Sequence, residues 1–588
     1  MGGSRKKIGP SPRTAATALP LHPSQRGAAR PRYARWRAAT LCGVYVLMGL
    51  HIAHWKIAGK TLAPLELNEV MYTLELGIVT AGFIFMAVAC LATLIFGRFF
   101  CGWGCHILAL QDLCSWLLKK MRIRARPIRS RLLLLVPPLA MFYMFMWPQV
   151  TRVLDDRPMP TAHVRSDEQG WASFQTTNFW RNLPGPGIAL LTFGVCGFGI
   201  VYVLGSRSFC AYGCPYGAVF RGLDRLSPGR ILAGGDCSNC GVCTAACPSG
   251  VIVHEELMRY GTVVNSACVR DLECVAACPN QAVKFGWTRP PLLRSWRAWH
   301  GIRKAFDYSL REEALLALVW IATLLTFRGL YDAVPFLMTL GLGAMLGHCV
   351  VVLLRLVTRN AVRLHPFWLK LDRRLSRSGA AFVALSAGFA VFWCHSAAIR
   401  YHEFFGYGAA TRASTTDRAA WTAAIDHLEF CRRWGLVTPF RLTSELAHAY
   451  AARGEARGAQ NDIRGALADL REAVVLQPGA AGVRYNLGVM LGAAGQEDAA
   501  LAQYQIAAQL DPRDADIQNN LGFMLARRQD WPAAEKCFRA AVALNPEHAD
   551  AHFNLARVLA GTNRMAEAST HFAAAARLNP QYADLLRE

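Results

Sequence analysis

Long apolar segments separated by charged loops dominate the chain up to residue 399. Most of them reach the length at which an α-helix crosses the hydrocarbon of a lipid bilayer. The weakest segment has only fourteen uncharged residues, between Glu313 and Arg328. The seven segments are 38–55, 76–97, 132–148, 187–205, 314–327, 333–354 and 378–399. The pattern predicts a mainly α fold, with a polytopic transmembrane helix bundle of about seven spans.

A second periodicity follows the apolar segments. Prolines recur at intervals of 34 residues, at Pro478, Pro512, Pro546 and Pro580. This is the period of the tetratricopeptide repeat, an α-solenoid. Three units cover 479–580, 445–478 resembles a degraded fourth with Gly454 in register, and 400–444 is predicted to be a helical linker. Repeat solenoids present extended binding surfaces. We therefore expect 445–588 to dock a protein partner, and the alternative is an array that only stabilises the C-terminal region.

The positive charge of the chain is concentrated in alternate loops. The 588 residues carry a formal net charge of +24 and a mean hydropathy of +0.20. Lys and Arg number nine in 1–37, eight in 98–131, thirteen in 206–313 and seven in 355–377, whereas the loops between them hold seven bases and seven acids. The positive-inside rule therefore predicts a cytoplasmic N-terminus and, with seven spans, repeats on the opposite side of the membrane. Topology accounts for the charge, so no nucleic-acid partner is expected. Residues 1–37 are interpreted as a disordered basic cytoplasmic tail.

Twelve residues in the middle of the chain carry the ligand run of a bacterial ferredoxin. The run is Cys237-x2-Cys240-x2-Cys243-x3-Cys247-Pro248, in which the first three thiolates bind one cluster and the fourth binds the other. A zinc site is the alternative, but zinc ligands are usually two short-spaced pairs and give Cys-Pro no role. The run predicts iron–sulfur clusters, and this use of cysteine indicates a reducing compartment.

A second run departs from the pattern at one position. It reads Cys268-x5-Cys274-x3-Cys278-Pro279, and Asp271 falls where the missing ligand belongs. Cross-ligation assigns Cys237, Cys240, Cys243 and Cys278 to one 4Fe-4S cluster and Cys268, Cys274, Cys247 and Asp271 to the other. A carboxylate binds soft iron weakly, so the second cluster is predicted to be an Asp-ligated 4Fe-4S or a 3Fe-4S cluster. The alternative is that Asp271 points away from the site.

Two further cysteine pairs indicate an internal duplication. Arg98-Phe-Phe-Cys101-Gly-Trp-Gly-Cys105 follows the second apolar segment, and Arg207-Ser-Phe-Cys210-Ala-Tyr-Gly-Cys214 follows the fourth. A Cys-x3-Cys spacing is expected to place both sulfurs on one helix face. The four thiolates could hold a third cluster or copper, or act as redox-active thiols. Packing of buried free cysteines is the alternative.

Residues 38–300 resemble the NapH/NosR/CcoG polyferredoxins of bacterial inner membranes, on the strength of the two Phe-Cys-x3-Cys motifs and the following ferredoxin domain. The resemblance implies a bacterial inner-membrane protein with a ferredoxin domain, and the last three spans and the repeats lie outside it. Together with the topology expected from the charges, this predicts an α+β ferredoxin-like domain in the cytoplasm and repeats in the periplasm. Members of that family pass electrons between the quinol pool and periplasmic reductases or, in the CcoG branch, reduce copper during oxidase assembly. The predicted organisation is the tail 1–37, four spans in 38–205, the ferredoxin-like region 206–300, three spans in 312–399, the linker and the repeats.

Four polar residues lie near the outer ends of the predicted spans: Glu75, His51, His54 and His395. Ionisable groups in a membrane are costly, so they are candidates for a quinol proton-acceptor site. Interhelical hydrogen bonding or snorkelling is the alternative for each. The leading hypothesis is electron transfer between a quinol pool or cytoplasmic donor and a partner docked on the repeats. The alternative is an assembly or metal-reducing maturation factor for a respiratory enzyme.

Overall fold

A computed structural model describes residues 33–582 except 66, 124, 126, 167–171, 183–184, 235–236 and 294–305. The predicted disordered tail therefore lies outside the described residues, apart from 33–37, which begin the first helix. The chain divides into two compact units, one of residues 1–324 with 337–383 and the other of 325–336 with 384–588. The structure is mainly helical, as predicted.

Sixteen helices are described before residue 360. They are α1 (Tyr33–Ala58), α2 (Val70–Leu76), α3 (Ala81–Phe96), α4 (Phe99–Trp103), α5 (His106–Lys120), α6 (Val136–Met141), α7 (Trp147–Leu154), α8 (Pro186–Thr192), α9 (Ile200–Leu204), α10 (Ser208–Tyr212), α11 (Pro215–Asp224), α12 (Val242–Ala246), α13 (Val253–Tyr260), α14 (Glu273–Ala277), α15 (Leu310–Phe327) and α16 (Phe336–Thr358). π-Helical turns at Phe142–Met146 and Phe193–Gly199 join α6 to α7 and α8 to α9, which makes each pair one longer helix.

Five helices of the described chain are long and apolar enough to cross a membrane: Tyr33–Ala58, Leu133–Leu154, Pro186–Leu204, Phe336–Thr358 and Arg377–Arg412. The predicted segment 76–97 is shorter than expected, because Gly77 ends α2 with a φ of 74° and Thr80 caps α3. The 16 residues of α3 span about 24 Å. The predicted segment 314–327 lies in α15, whose first turn holds two acids. The count of seven spans stays a prediction.

A small α/β region follows α11. Strands β3 (Gly229–Ala233) and β4 (Val283–Trp287) pair antiparallel, with Gly229 opposite Trp287 and Ala233 opposite Val283. The two ferredoxin runs lie between these strands, with α12, α13 and α14. The core of the region consists of buried aliphatic side chains together with three cysteines, and it includes Ile231, Val251, Leu257, Val263, Val275, Cys243, Cys268 and Cys274.

The remaining strands form two small antiparallel sheets. Strand β1 (Thr61–Leu62) pairs with β2 (Gln175–Thr176), two segments far apart in the sequence. Strands β5 (Val362–Leu364), β6 (Phe367–Leu371) and β7 (Arg374–Leu375) form a meander within the basic loop after α16.

The second unit is built from helices. It contains most of α17 (Arg377–Arg412), then α18 (Arg418–Trp434), α19 (Phe440–Ala459), α20 (Ile463–Leu476), α21 (Ala481–Ala493), α22 (Glu497–Leu510), α23 (Ala515–Arg527), α24 (Trp531–Leu544), α25 (Ala549–Gly561) and α26 (Met565–Leu578). From α19 onward, consecutive helices pack in pairs and give four helical hairpins. Each hairpin ends two residues before a proline of the 34-residue series, because proline disfavours helix in the residue before it.

Small residues lie where the two helices of a repeat touch, as predicted. A Cβ added at Gly488 would lie 2.8 Å from the ring of Tyr504, and one at Gly522 would lie 2.9 Å from the ring of Phe538. In the first hairpin a Cβ at Gly454 would lie 3.0 Å from Leu470, so this degraded unit packs like the others. The close approach explains why a small residue recurs at this position of each repeat, because a larger residue would separate the helices.

Candidate metal centre

Two loops of the small α/β region repeat one backbone conformation. In the first, Asn239, Gly241 and Gly250 have φ angles of 54°, 73° and 66°. In the second, positive φ recurs 31 residues later at each position, at Arg270, Leu272 and Gln281. A five-residue helix follows in each loop, α12 in the first and α14 in the second. The duplicated backbone makes Asp271 the structural counterpart of Cys240.

Four thiols gather at the first loop. Burial raises the pKa of Cys243 to about 11, and the nearby thiols of Cys240, Cys278 and Cys237 contribute. All four cysteines line one cavity, although Cys278 comes from the end of the second run. The structure thus brings together the four residues assigned from the sequence to one cluster.

Three thiols and a carboxylate gather at the second loop. Burial raises the pKa of Cys247 to about 12, and the neighbouring carboxylate of Asp271 and thiol of Cys268 add to it. Burial also raises the pKa of Cys274, with contributions from Cys268, Asp271 and Cys247. The second assigned set is therefore brought together as well, with Asp271 among the thiols.

Asp271 is held by contacts on both oxygens. Its side chain is buried, Arg207 Nη2 lies 3.4 Å from Oδ2, and the backbone N–H of Glu273 donates to Oδ1 at 3.4 Å. Each carboxylate oxygen has two acceptor sites, so neither contact prevents a bond to iron. The carboxylate has the position of a ligand, and its ligation of iron stays a prediction.

The two Cys-x3-Cys motifs form a third group of thiols. Burial raises the pKa of Cys105 to about 12, and the thiols of Cys101 and Cys214 contribute. Burial also raises the pKa of Cys210, and Cys105 and Cys214 contribute again. The structure thus places both copies of the motif together, as the duplication suggested.

The expectation that each pair lies on one helix face is wrong. Helix α4 ends at Trp103, and Cys105 is extended, with φ −84° and ψ 119°, at the cap of α5. The second copy does the same, because Cys214 is extended before α11. A Cβ at Gly104 would lie 3.2 Å from the ring of Phe100, and Gly213 has the same relation to Phe209. The glycine lets the chain turn against the aromatic ring, so the second cysteine leaves the helix.

The third group packs directly on the second loop. Trp103 Nε1 donates to the carbonyl oxygen of Arg270 at 2.9 Å, and Arg98 Nη1 donates to that of Ser266 at 2.9 Å. A Cβ at Gly102 would lie 2.2 Å from the carbonyl oxygen of Val269, so the backbones are in contact. The helix that contains Cys101 therefore lies against the loop that contains Cys268 and Asp271.

Sequence reasoning missed a network of buried ion pairs around these thiols. Arg207 Nη2 lies 3.2 Å from Asp112 in addition to its contact with Asp271, and Arg37 pairs with both Asp112 and Glu273. Arg98 and Arg207 are 2% and 4% exposed, and each stands three residues before the first cysteine of its motif. This arginine, repeated at the same place in both motifs, is the signal in the sequence that could have revealed the buried ion pairs.

A second buried network fixes the second loop to α11. Asp224 is fully buried and accepts from Arg230 at 3.1 Å and from Arg270 at 2.8 Å. Arg270 also donates to the carbonyl oxygen of Cys268 at 2.7 Å. The carboxylate therefore compensates two buried guanidinium groups, one of which lies inside the ligand loop.

The donor set suits iron–sulfur clusters better than a single metal ion. Within the described residues, no three His, Cys, Asp or Glu side chains converge at the distances of one ion. Structural zinc requires four ligands at about 2.0–2.3 Å from one centre. In a cubane each iron takes its own protein ligand, so thiolates can be grouped without meeting at a point.

The four candidates for a quinol site occupy different places. His51 and His54 of α1 line a cavity with Lys60 and Thr61, and His54 Nδ1 lies 3.0 Å from the hydroxyl of Thr61. Glu75 is exposed on α2. His395 lies on α17, within the second unit. The structure brings together two of the four residues, and the quinol site stays a prediction.

Sequence families match the same regions. A family described as a 4Fe-4S binding domain matches 78–124 and again 187–232, and each match includes one Cys-x3-Cys motif. A 4Fe-4S dicluster domain matches 231–279, and a tetratricopeptide-repeat family matches 451–515 and 525–583. The chain combines 4Fe-4S ferredoxin domains with C-terminal tetratricopeptide repeats.

Two relatives have names that refer to ferredoxin or to electron transport. The methylamine utilization ferredoxin-type protein MauN of Methylobacillus flagellatus is 28% identical over 174 residues, which are 29% of this chain and 52% of MauN. The putative electron transport protein YccM of Escherichia coli is 36% identical over 74 residues, which are 12% of this chain and 20% of YccM. The chain thus spans about half of the length of MauN.

The chain is also similar to solved structures. MamA from Desulfovibrio magneticus is 17% identical, and the match covers 31% of this chain and 96% of that chain with a TM-score of 0.25.

Proposed function

We propose that this chain is a multi-pass protein of the bacterial inner membrane that transfers electrons between a quinol pool or a cytoplasmic donor and a partner docked on its repeats. The observation that carries the proposal is the continuous series of three thiol groups. The first and second groups exchange ligands between their loops, and the second contacts the third through the bonds of Trp103 and Arg98.

The residues have distinct roles in this series. Cysteines of the first group include Cys240, which is exposed and accessible to a soluble donor. Cysteines of the third group follow the apolar helices α3 and α9. In the proposed topology these cysteines therefore lie next to the membrane surface. Bound iron–sulfur clusters would supply one-electron redox chemistry at these positions. Buried Arg98 and Arg207 provide positive charge that compensates thiolates, which lowers the cost of burying them.

The proposed cofactors follow from these groups. Cys237, Cys240, Cys243 and Cys278 would hold one 4Fe-4S cluster. Cys247, Cys268 and Cys274, with Asp271, would hold a 4Fe-4S or 3Fe-4S cluster. Cys101, Cys105, Cys210 and Cys214 would hold a third cluster, which the double match of the 4Fe-4S binding family favours over copper.

The number of spans decides whether the ferredoxin region and the repeats lie on the same side of the membrane. If α3 and α15 cross with the five long helices, seven spans place the ferredoxin region in the cytoplasm and the repeats in the periplasm. If only the five long helices cross, two spans separate the region 206–313 from the repeats, and both lie on one side. The excess of Lys and Arg in 98–131 and 355–377 supports seven. Epitope tags at residues 289 and 582, probed in spheroplasts and after lysis, distinguish the two arrangements.

Anaerobic redox spectroscopy tests the function. Full-length protein isolated without oxygen should contain iron and sulfide, and its EPR and visible spectra should change when a reduced quinol is added. Cys210→Ser should abolish the response to quinol while dithionite still reduces the remaining centres. Cys42→Ser, an exposed cysteine of α1, is the control and should behave as wild type. Clusters that no quinol reduces or oxidises would contradict the membrane donor.

A further inference from the structure

A cavity of about 250 Å³ lies between the second ferredoxin loop and the ends of apolar helices. Leu134 and Tyr212 contribute to its wall from the helices, and Ser249 and Ser266 contribute from the ferredoxin region. Of the twelve proposed cluster ligands, Cys210 alone lines it. The cavity is therefore a separate space beside the clusters and is not one of their binding sites.

Four arginines line this cavity: Arg98, Arg129, Arg207 and Arg221. We call it the arginine pocket. Arg98, Arg129 and Arg221 each donate to a backbone carbonyl, of Ser266, Gly250 and Ala211 respectively.

Several nitrogens in the arginine pocket are buried without a hydrogen-bond partner. They are Nε of Arg98, Nε and Nη1 of Arg207 and Nε of Arg221. The Ser249 hydroxyl is likewise buried without a hydrogen-bond partner. Arg98 and Arg207 are more than nine-tenths buried. Buried polar groups are nearly always satisfied in folded proteins, so these N–H groups indicate an acceptor that the chain itself does not provide.

The charges within the pocket do not balance. Among the described residues that line it, Glu256 is the one carboxylate, and its Oε2 already accepts from the backbone N–H groups of Val264 and Asn265. Asp112 and Asp271 compensate Arg207 from outside the cavity. Burial and the nearby Arg98 lower the pKa of Arg221 to about 10. The pocket therefore carries an excess of positive charge.

We infer that the arginine pocket binds a phosphate-bearing anion. Guanidinium groups present paired N–H donors that match the oxygens of phosphate, and such charge-assisted bonds are the strongest that side chains form. The Ser249 hydroxyl adds a neutral donor on the ferredoxin side. A neutral quinone head would leave the charges of Arg129 and Arg221 without compensation.

The volume admits phosphate with a small substituent. A cavity of about 250 Å³ has the room of about eight water molecules. The phosphate could thus belong to a soluble ester or ion, or to the headgroup of an anionic lipid that reaches the pocket past Leu134. Both sources share the same recognition chemistry.

Occupancy of the pocket would affect the neighbouring centres, and this consequence rests on the proposed function. A bound anion would lie next to Cys210 and to the loop 266–269. Negative charge in a region of low dielectric constant disfavours addition of an electron. The anion should therefore lower the midpoint potential of the nearest centre, whereas binding itself requires no electron transfer.

Binding of inorganic phosphate to the anaerobically purified full-length protein tests the inference. Calorimetry in detergent at constant ionic strength should show saturable binding that chloride does not replace. Arg221→Gln should weaken it by about tenfold or more, since a charge-assisted bond is lost. Arg225→Gln removes an exposed arginine outside the pocket, four residues along the chain, and should leave binding unchanged. Arg221 is partly exposed, and the circular dichroism spectrum checks that its substitution preserves the fold.

Reconstitution into nanodiscs distinguishes the two sources. Phosphate binding that persists in phosphatidylcholine discs and in phosphatidylglycerol discs alike supports a soluble anion. Binding in phosphatidylcholine discs that phosphatidylglycerol abolishes supports a lipid headgroup. Absence of phosphate binding in detergent and in both lipids, or equal binding by wild type and Arg221→Gln, would overturn the inference. If phosphate binds but no centre responds to quinol, the pocket stands and the proposed electron-transfer function fails.

Discussion

The two ferredoxin loops share a backbone but differ in their surroundings. Cys240 of the first loop is exposed, whereas its counterpart Asp271 is 6% exposed. Asn239 of the first loop corresponds to Arg270 of the second, which is fully buried against Asp224. One duplicated motif thus provides an accessible group of proposed ligands, the first centre, and an enclosed group, the second centre. The enclosed centre requires buried ion pairs, because thiolates and a carboxylate are costly to bury without compensating charge.

Asp224→Ala should cause the largest loss of stability around the enclosed centre, since it leaves Arg230 and Arg270 buried without their carboxylate. Removing one partner of a buried ion pair typically costs about 3–5 kcal/mol. Chemical unfolding in detergent should show a loss of this size, together with loss of iron from the second centre before the first. Asp155→Ala is the control, because Asp155 pairs with Arg157 on the surface and should cost less than about 1 kcal/mol. Equal losses in the two variants would contradict the structural role of Asp224.

Asp271→Cys should remove the chemical difference between the loops. A fourth thiolate suits soft iron better than a carboxylate, so the second centre should hold four irons firmly and resist chelators as the first does. Iron analysis should show that Asp271→Cys retains more iron than wild type and that Asp271→Asn retains less. The low-temperature EPR spectra of both variants should differ from that of wild type. An unchanged EPR spectrum in both variants would exclude Asp271 as a ligand.

Arg207→Gln should have a smaller effect, on the enclosed centre and the adjoining third group of thiols but not on the first centre. It removes the contacts with Asp271 and Asp112, and bonds to charged groups contribute about 1.5–3 kcal/mol. Arg207→Lys keeps the charge but loses the planar arrangement of donors. The potential of its second centre should therefore lie between those of wild type and Arg207→Gln. Arg207 has a φ of 67°, and all three side chains bear the same backbone strain. A potentiometric titration should show a shift of the second centre and none of the first; a shift of both would refute the assignment.

Sequence patterns were reliable wherever the relevant contacts are local or periodic. The 34-residue series predicted Gly488 against its neighbouring helix, and cysteine spacing predicted that Cys278 joins the first group. Both the repeats and the ferredoxin domains are confirmed by the family matches. Such features depend on residues within one repeat of the chain or on a known ligand order.

The failures have a different physical origin. The Cys-x3-Cys spacing predicted one helix face, but the ring of Phe100 against Gly104 turns the chain before Cys105. The pairing of Arg207 with Asp271 joins residues 64 positions apart, and no periodicity reveals such a contact. Helix α3 is shorter than its apolar segment because Gly77 and Thr80 interrupt it.

Removal of the clusters gives the finest measure of how the first and second groups of ligands differ. Alkylation needs the thiolate, so exposed Cys240 of the apo protein should react with iodoacetamide within minutes at pH 8. Cys247 should react at least about a hundredfold more slowly, because its pKa of about 12 leaves almost no thiolate at that pH. A raised pKa means that the folded state holds the proton more tightly than the unfolded chain. The stability contributed by this thiol is therefore present below pH 9 and decreases as the pH rises toward 12. Peptide mapping by mass spectrometry after timed labelling should show Cys240 first and Cys247 only in alkali. Simultaneous labelling at pH 8 would mean that the second group of ligands becomes exposed when iron is lost.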